Sequence, residues 1–212
     1  MTGLAASKSN QHWAGAVWGV LAAWFAFSVW ASLGGLFERG NGPPIALGVA
    51  AVGPIIVFEV LYQSWPAFHQ FVRSGNLRVL TLLQTFRVIG ITFLILFWKG
   101  LLPGQFALPA GLGDMTVGVT APLVAWYIGR QRPFPRSLFI GWTTFGIADL
   151  IVAVTMGVLS SPSPAGLLAG TVTTRLMTQF PLSLVPTFFV PLLLILHLIS
   201  LRALAATTPQ EN

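Results

Sequence analysis

The stretch "PAGLGDMTVGVTAPLVAWYIG", residues 109–129, decides the fold, because it places a single carboxylate among twenty uncharged residues. A helix of this length, at about 1.5 Å per residue, spans the ~30 Å hydrocarbon core of a bilayer. Five more windows of similar character are 12–36, 44–62, 79–99, 137–159 and 182–201. We therefore predict an all-α integral membrane protein. It forms one membrane domain over residues 1–212, a bundle of six transmembrane helices with a short polar tail at 203–212.

The composition of the whole chain supports this prediction. Of its 212 residues 55% are hydrophobic and only 8% are charged, whereas about a quarter of the residues in a soluble domain are charged. Eleven Lys and Arg against five acids give a net charge of +6, but the basic residues are scattered between the apolar windows. No nucleic-acid partner is therefore expected. Because the chain has no cysteine, disulfides and thiol chemistry are excluded.

The basic residues also predict the orientation of the bundle, because cytoplasmic loops carry an excess of Lys and Arg. The N-terminus, the second and fourth loops and the C-terminus hold Lys8, Arg73, Arg78, Arg130, Arg132, Arg136 and Arg202. The other three loops hold only Arg39, Lys99 and Arg175. Aromatic residues typical of membrane interfaces fall near the predicted helix ends: Trp30, Tyr62, Trp65, Trp98, Trp126 and Tyr127. We predict that both termini are cytoplasmic, in a multi-pass protein of the cell membrane, of the bacterial inner-membrane kind. Residues 166–180 are too polar to span, and a surface loop or short helix is expected there.

Ionisable side chains inside the predicted spans are the candidate site. They are Glu59, Arg87, Asp114, Asp149 and His197. A charged group at the centre of a bilayer costs at least ~2.5 kcal/mol on insertion scales, so these groups should face the bundle interior and one another. The rise per residue places Arg87 and Asp149 near the midplane, and we predict a polar intramembrane site of Asp114, Asp149 and Arg87. His197, Glu59 and Gln84 are predicted to form a relay from that site to the cytoplasmic side.

Small residues and prolines surround these groups. Ala110, Gly118 and Pro122 share the helix face of Asp114, and small residues let membrane helices approach closely. The predicted packing or hinge positions are Gly111, Gly113, Gly118, Pro186 and Pro191. A proline inside a helix frees a backbone carbonyl and can kink the helix, and interrupted helices beside ionisable groups form the midplane sites of many transporters. The alternative is ordinary helix packing, in which glycine and proline are also frequent.

Two interpretations of the charged residues remain open at this stage. The favoured one is transport of a small solute, an ion or a proton, in which Asp114 and Asp149 carry the cation and Arg87 is counter-ion and gate. In the other, the Arg–Asp pair only holds helices together in a structural or sensory membrane protein. Neither assigns a catalytic residue, a metal or a cofactor, and an enzyme is not the favoured class. The expected partners are the lipid bilayer and further copies of the chain in a homo-oligomer.

The tetrapeptide Gly111-Leu112-Gly113-Asp114 resembles the GxGD motif of intramembrane aspartyl proteases, such as presenilin, signal peptide peptidase and the prepilin peptidases. The resemblance implies a second Asp on a neighbouring helix, which Asp149 would supply, with one proton shared between the two carboxyl groups. It covers four residues. In presenilin-like proteases the other Asp precedes the motif and usually follows a Tyr, whereas Asp149 comes later and follows Ala148, and no Pro-Ala-Leu element follows in this chain.

A haem-binding redox protein is a further alternative, which depends on the histidines. His12 and His197 both fall on the predicted cytoplasmic side, and they could ligate a haem or a metal if their helices touch. No H-x-x-x-H spacing supports this interpretation, and His69 lies in a predicted loop beside aromatic residues.

Overall fold

The computed structural model describes residues 2–38, 45–130 and 135–207, with side chains from Trp13 onward apart from that of Ala14. Its α-helices are α1 Thr2–Leu33, α2 Ile45–Ser64, α3 Pro66–Arg73, α4 Leu77–Leu83, α5 Ile91–Trp98, α6 Gly104–Arg130, α7 Arg136–Leu159 and α8 Val190–Ala206. Two 3₁₀ helices, Gln84–Gly90 and Thr174–Thr178, and a π-helical turn, Val185–Phe189, complete the secondary structure of these ranges.

Six of the helical stretches are long and apolar enough to cross a bilayer. They are Gly15–Leu33, Ile45–Ser64, Leu77–Trp98, Gly104–Arg130, Arg136–Leu159 and Val185–Ala206. The all-α prediction is therefore confirmed, and each predicted window coincides with one of these stretches. The fourth begins at Gly104 rather than at residue 109, since Pro109 and Pro122 both lie inside α6. The third is a composite of α4, the first 3₁₀ helix and α5, which follow one another without a gap.

The helices alternate in direction, so their connections gather at two ends of the bundle. Residues 34–38, 99–103 and 160–184 lie at what we call the distal end, and residues 65–76 and Thr207 lie at the proximal end. The third long stretch, α6, α7 and α8 form the centre, while α1 contacts mainly the π-helical turn, and α2 contacts α8 and α3. The distal half of the centre holds an apolar cluster of Phe93, Leu102, Phe106, Ala107, Ala110 and Met177.

Residues 160–184 contribute to this core instead of lying only on the surface. The loop-or-short-helix prediction is right about the secondary structure, because Thr174–Thr178 forms a single 3₁₀ helix. However, Thr174 and Met177 are buried, and the Thr174 hydroxyl donates a hydrogen bond to the Gly157 carbonyl at 2.6 Å. The segment is thus anchored to the distal end of α7.

The surface and the interior of the bundle have opposite characters. Large hydrophobic side chains are exposed along the long helices, among them Trp18, Trp30, Ile45, Leu123 and Trp126. The buried side chains include many polar ones, among them Ser28, Thr81, Gln84, Arg87, Thr143 and His197. A water-soluble bundle shows the reverse arrangement, with its apolar stripe turned inward.

Candidate functional site

One arginine joins four helical elements at the centre of the bundle. Arg87 lies on the 3₁₀ helix Gln84–Gly90, and its side chain is completely shielded from solvent. Its Nε donates to Oδ1 of Asp114 on α6 at 2.7 Å, and its Nη2 donates to Oδ2 of Asp149 on α7. Its Nη1 lies 3.1 Å from the Gly146 carbonyl oxygen and 3.2 Å from Nε2 of His197 on α8. We call Arg87, Asp114, Asp149 and His197 the charged cluster.

The hydrogen bonds of the cluster fix the tautomer of its histidine. A guanidinium has only donors, so Nε2 of His197 must accept, which leaves the ring proton on Nδ1. The ring meets the edge of Trp142, whose ring centroid lies 5.6 Å away. The indole Nε1 of Trp142 donates in turn to Oγ1 of Thr120 at 2.9 Å. The polar network therefore extends from Arg87 through α8 and α7 and back to α6.

The geometry requires arginine at position 87 and would not accept lysine in its place. Three different nitrogens of one planar group reach Asp114 on α6, Asp149 on α7 and His197 on α8 at once. A lysine ammonium is a point charge at the end of a flexible chain, so it cannot hold both carboxylates in a fixed relative position.

Three glycines make room for the cluster. A Cβ on Gly113 would overlap the carboxylate of Asp149, and a Cβ on Gly90 would overlap the side chain of Asp114. A Cβ on Gly146 would come within 2.5 Å of Nε2 of His197. Any larger residue at these positions would therefore push a charged or hydrogen-bonded group out of place.

The other two glycines predicted as packing positions lie where α6 meets the third long stretch. A Cβ on Gly118 would be 2.6 Å from the backbone nitrogen of Val88, and one on Gly111 would be 2.6 Å from Cδ2 of Leu94. Close approach of the two backbones at Gly118 is what brings α6 within reach of Arg87. Gly90, which shares the helix face of Arg87 in the sequence, and Gly146 are not among the predicted packing positions. The available signal is their spacing, since each lies three residues from an ionisable residue on the same helix face, Arg87 and Asp149 respectively.

The two predicted hinge prolines interrupt the last long helix. Pro186 lies within the π-helical turn and Pro191 lies just after it. Because Pro191 has no N–H, the carbonyl of Thr187 four residues earlier lacks its usual helical partner. That carbonyl accepts a hydrogen bond from Nε1 of Trp24 at 3.1 Å, which ties α1 to the interruption.

The predicted relay is only partly assembled. His197 belongs to the charged cluster, and Gln84 lies one turn from Arg87, where its Nε2 donates to the Leu193 carbonyl at 3.2 Å. The structure does not bring Glu59 to the cluster. Its two carboxylate oxygens lie 2.7 and 2.5 Å from Nη2 of Arg202, so that Glu59 forms a separate ion pair between α2 and α8.

Two oxygens beside the cluster have no protein partner. Oε1 of Gln84 and Oγ1 of Thr143 are buried and accept or donate no hydrogen bond among the described residues. Gln84 lies one turn proximal to Arg87, and Thr143 lies one turn proximal to Gly146. Buried polar atoms normally find a partner in the protein or in an ordered water. These two oxygens therefore provide free hydrogen-bonding groups on the proximal side of the charged cluster.

A cavity of about 270 Å³ leads to the cluster from the distal end. We call it the distal cavity. It lies between α2 and α7, beside the π-helical turn, and Asp114 is among the residues that line it. Exposed Glu38 and Arg175 line its other end. Asp114 is about 15 Å from the start of α6 at 1.5 Å per residue, so the cavity reaches well into the bundle.

The geometry does not favour the protease or the haem interpretation. An aspartyl dyad needs two carboxyl groups that face each other and share a proton, whereas here the Arg87 guanidinium binds one carboxylate on each side. Nε2 of His197 already accepts from Arg87, and the side chain of His12 lies outside the described residues. His69 lies on helix α3 rather than in the predicted loop, and it meets the ring of Tyr62 at 4.6 Å at the proximal end, away from the cluster. Within the described ranges, no group of three His, Cys, Asp or Glu residues could hold a metal ion.

The chain belongs to the protein family described as Domain of unknown function (DUF8737), which it matches over residues 44–205. The match begins at the start of α2 and includes every residue of the charged cluster, while α1 precedes it. Neither the curated proteins nor the solved structures contain a match to this chain.

Proposed function

We propose that this chain is a six-span protein of the cell membrane, with both termini in the cytoplasm, that transports a small cation or a proton by way of the charged cluster. The observation that carries the proposal is the composition of the cluster, in which two carboxylates share one guanidinium. With both acids ionised the cluster has a formal charge of −1. A buried unbalanced charge is costly, so the cluster favours a proton or one monovalent cation as its missing positive charge.

The distribution of side chains supports insertion in a membrane. The long helices expose tryptophan, isoleucine, leucine and valine around their circumference, and water would penalise that surface at about 25 cal/mol per Å². Hydrocarbon carries no such penalty, and it requires ionisable groups to be turned inward and paired, as Arg87 and its partners are.

Basic residues support the proposed orientation. At the proximal end the described part of the chain carries Arg73, Arg78, Arg130, Arg136 and Arg202, and at the distal end it carries Lys99 and Arg175. Arg39 and Arg132, which also entered the sequence prediction, lie outside the described residues. The excess at the proximal end is typical of the cytoplasmic side.

A cation would cross in two stages. The distal cavity offers access from the extracytoplasmic side as far as Asp114, whose side chain is 15% exposed, compared with 6% for Asp149. Neutralising Asp114 weakens its attraction to Nε of Arg87, so that the guanidinium, still held by Asp149 and His197, is free to move away from Asp114. The unpaired oxygens of Gln84 and Thr143 then continue the polar path toward the cytoplasm.

Flux into proteoliposomes tests this proposal. Purified protein is reconstituted with a pH-sensitive dye or a K⁺- or Na⁺-sensitive dye inside, and a gradient of the corresponding cation is imposed. We expect flux in the parent protein, its loss in Asp114→Asn and in Asp149→Asn, and its retention in the matched variant Glu59→Gln, which neutralises an acid outside the cluster. Each variant must elute from size exclusion as the parent does. If both aspartate variants transport as the parent does, the cluster is not the transport site.

The orientation and the assembly state are tested separately. Because the chain has no cysteine, Ser163→Cys and Thr207→Cys each introduce a single thiol, at the distal and the proximal end. An impermeant maleimide added to intact cells should label the first and not the second. We also propose that a chain this short acts as a homo-oligomer in the bilayer, and light scattering of the detergent complex should give a mass greater than one chain.

A second candidate function is that of a structural brace. It is favoured by the number of elements that Arg87 joins, since its donors contact α6, α7 and α8 from the third long stretch. A brace holds these helices in place without exchanging a cation, and therefore predicts a folded protein without cation flux in the parent.

A further inference from the structure

We infer that the distal cavity binds an organic monocation with an apolar body, whose charged group lies against Asp114. This inference rests on the proposed function, because it names the class of cation that the same site accepts. The walls of the cavity, its charges and its size support this inference.

The walls of the distal cavity are apolar over most of their extent. The side chains that face it include Phe37, Phe93, Phe106, Leu150, Met177 and Val190. An inorganic cation gives up water only to a shell of several oxygen ligands. Apart from Asp114, the oxygen-bearing side chains of the lining belong to the segments at the distal end, so the inner end of the cavity does not supply such a shell. These side chains are Glu38, Ser161, Ser163, Thr174 and Thr178. An apolar molecule, by contrast, gains from leaving water for the apolar walls, at about 25 cal/mol for each Å² that it buries.

The acidic side chains that line the distal cavity favour a cation as its ligand. Asp114 uses Oδ1 for the hydrogen bond with Arg87, and its Oδ2 has no hydrogen-bond partner among the described residues. A second acid, Glu38, lies at the exposed end of the cavity. Among the described residues the only base lining the cavity is Arg175, which is exposed at the same outer end and therefore leaves the inner end negative. A single positive charge on the ligand balances the formal −1 of the charged cluster.

Aromatic rings add to the preference for a cationic ligand. Phe93 and Phe106 contact each other with ring centroids 5.4 Å apart, and both line the cavity. The faces of such rings attract alkylated ammonium groups, which are weakly hydrated and bring apolar surface of their own. The volume of about 270 Å³ lies just under the ~300–1,000 Å³ of typical small-molecule pockets, so the ligand is a small one.

Equilibrium dialysis of the purified parent protein in detergent tests the inference without any need for transport. The probe is benzyltrimethylammonium, and phenylacetate, which pairs a similar apolar body with a negative charge, is the control ligand. We expect saturable binding of the cation, with phenylacetate bound at least about tenfold more weakly because it meets two carboxylates.

Two variants locate the binding. Gly157 lines the cavity, and a Cβ there would make an ordinary contact 3.6 Å from Phe106, so Gly157→Phe fills the cavity without touching the cluster. Gly141 lies on the same helix, where a Cβ would meet nothing within 4 Å, and Gly141→Phe is the matched control. We expect Gly157→Phe to abolish binding, Gly141→Phe to preserve it, and Asp114→Asn to weaken it by about tenfold or more through loss of the charge contact.

Failure of this inference differs from failure of the proposed function. Unsaturable binding, equal binding of the cation and phenylacetate, or undiminished binding by Gly157→Phe would overturn the inference. Aspartate-dependent flux of protons or alkali ions would then still stand. Specific binding of benzyltrimethylammonium without flux of any cation would instead support the cavity as a ligand site and overturn transport.

Discussion

The described part of the chain holds two arginine–carboxylate sites that differ in depth and in completeness. Arg87 is fully shielded, and its nitrogens Nε, Nη1 and Nη2 all donate. Arg202 is 20% exposed and its partner Glu59 is 31% exposed, and among the described residues only Nη2 of Arg202 donates a hydrogen bond. The Arg202 guanidinium also lies 3.7 Å from the centroid of the Tyr62 ring.

This difference teaches how depth determines what an ion pair can do. Near the end of a helix an arginine side chain can reach the interface, so its partner is useful but not required. Deep in the bundle no water replaces a lost partner, and each group becomes essential to the others. The fold therefore depends strongly on the Arg87 cluster, and the cluster carries a formal charge of −1 when both acids are ionised. The peripheral pair of Arg202 and Glu59 is formally neutral, and the fold depends on it less.

The largest expected effect follows from removing the central charge. Arg87→Met leaves two carboxylates facing each other without a counter-ion, and we expect it to lower the free energy of unfolding by about 3–5 kcal/mol. The measurement is denaturation by SDS in mixed micelles. Arg202→Met is the matched control and should cost about 1 kcal/mol or less. Equal costs for the two variants would remove the distinction between the sites.

A smaller loss is expected from a single methyl group beside the cluster. Gly113→Ala places a Cβ where the Asp149 carboxylate now lies, and the displacement should cost about 1–3 kcal/mol. Gly141→Ala on α7 adds the same methyl group where nothing lies within 4 Å, and should leave the same SDS midpoint unchanged. A neutral Gly113→Ala would mean that α6 and α7 are farther apart than the structure has them.

The histidines provide a third comparison of depth. His197→Phe keeps a ring but removes the acceptor for Nη1 of Arg87, so that the loss should be about 1–2 kcal/mol. His69→Phe keeps the ring contact with Tyr62 at the proximal end and should change stability by less than about 0.5 kcal/mol. Thermal unfolding in detergent measures both, and a larger effect of His69→Phe would contradict the placement of His197 in the cluster.

The smallest effect is expected at the peripheral pair itself. Glu59→Gln removes a partly exposed charge and should cost about 0.2–1 kcal/mol. Both partners lie close to the proximal ends of α2 and α8, where long charged side chains reach the aqueous interface, so 1 M salt should abolish most of the difference between parent and variant. A cost that does not change with salt would show that Glu59 is shielded from solvent as the cluster is.

The sequence predicts the six long helices because each must match the thickness of the hydrocarbon core, and that signal is local. It also indicates that Arg87, Asp114 and Asp149 face one another, because lipid is so unfavourable for them. The separate helix α3, Pro66–Arg73, is missed because eight residues are too few for a periodic pattern to be distinguished from a loop.

Other features depend on the register between helices, which no single stretch of sequence reports. The hydrogen bond from Nη1 of Arg87 to the Gly146 carbonyl forms only if α7 lies at one particular height against the third long stretch. The pairing of Glu59 is missed for a related reason. The sixth predicted window ends at residue 201 and counts Arg202 with the C-terminus, whereas α8 continues to Ala206 and keeps Arg202 within the helix. The distal cavity arises from residues of α2, α7 and the 160–184 segment, which only the folded chain brings together.

The central claim is that the charged cluster serves transport as well as holding helices together. It is tested most directly in the triple variant Arg87→Met, Asp114→Val, Asp149→Val, because replacing a whole buried ion cluster by apolar residues of similar size is often neutral for stability. The measurement is cation flux in proteoliposomes, beside an SDS titration that reports folding. We expect a folded triple variant with no flux. A folded triple variant that transports as the parent does would contradict it.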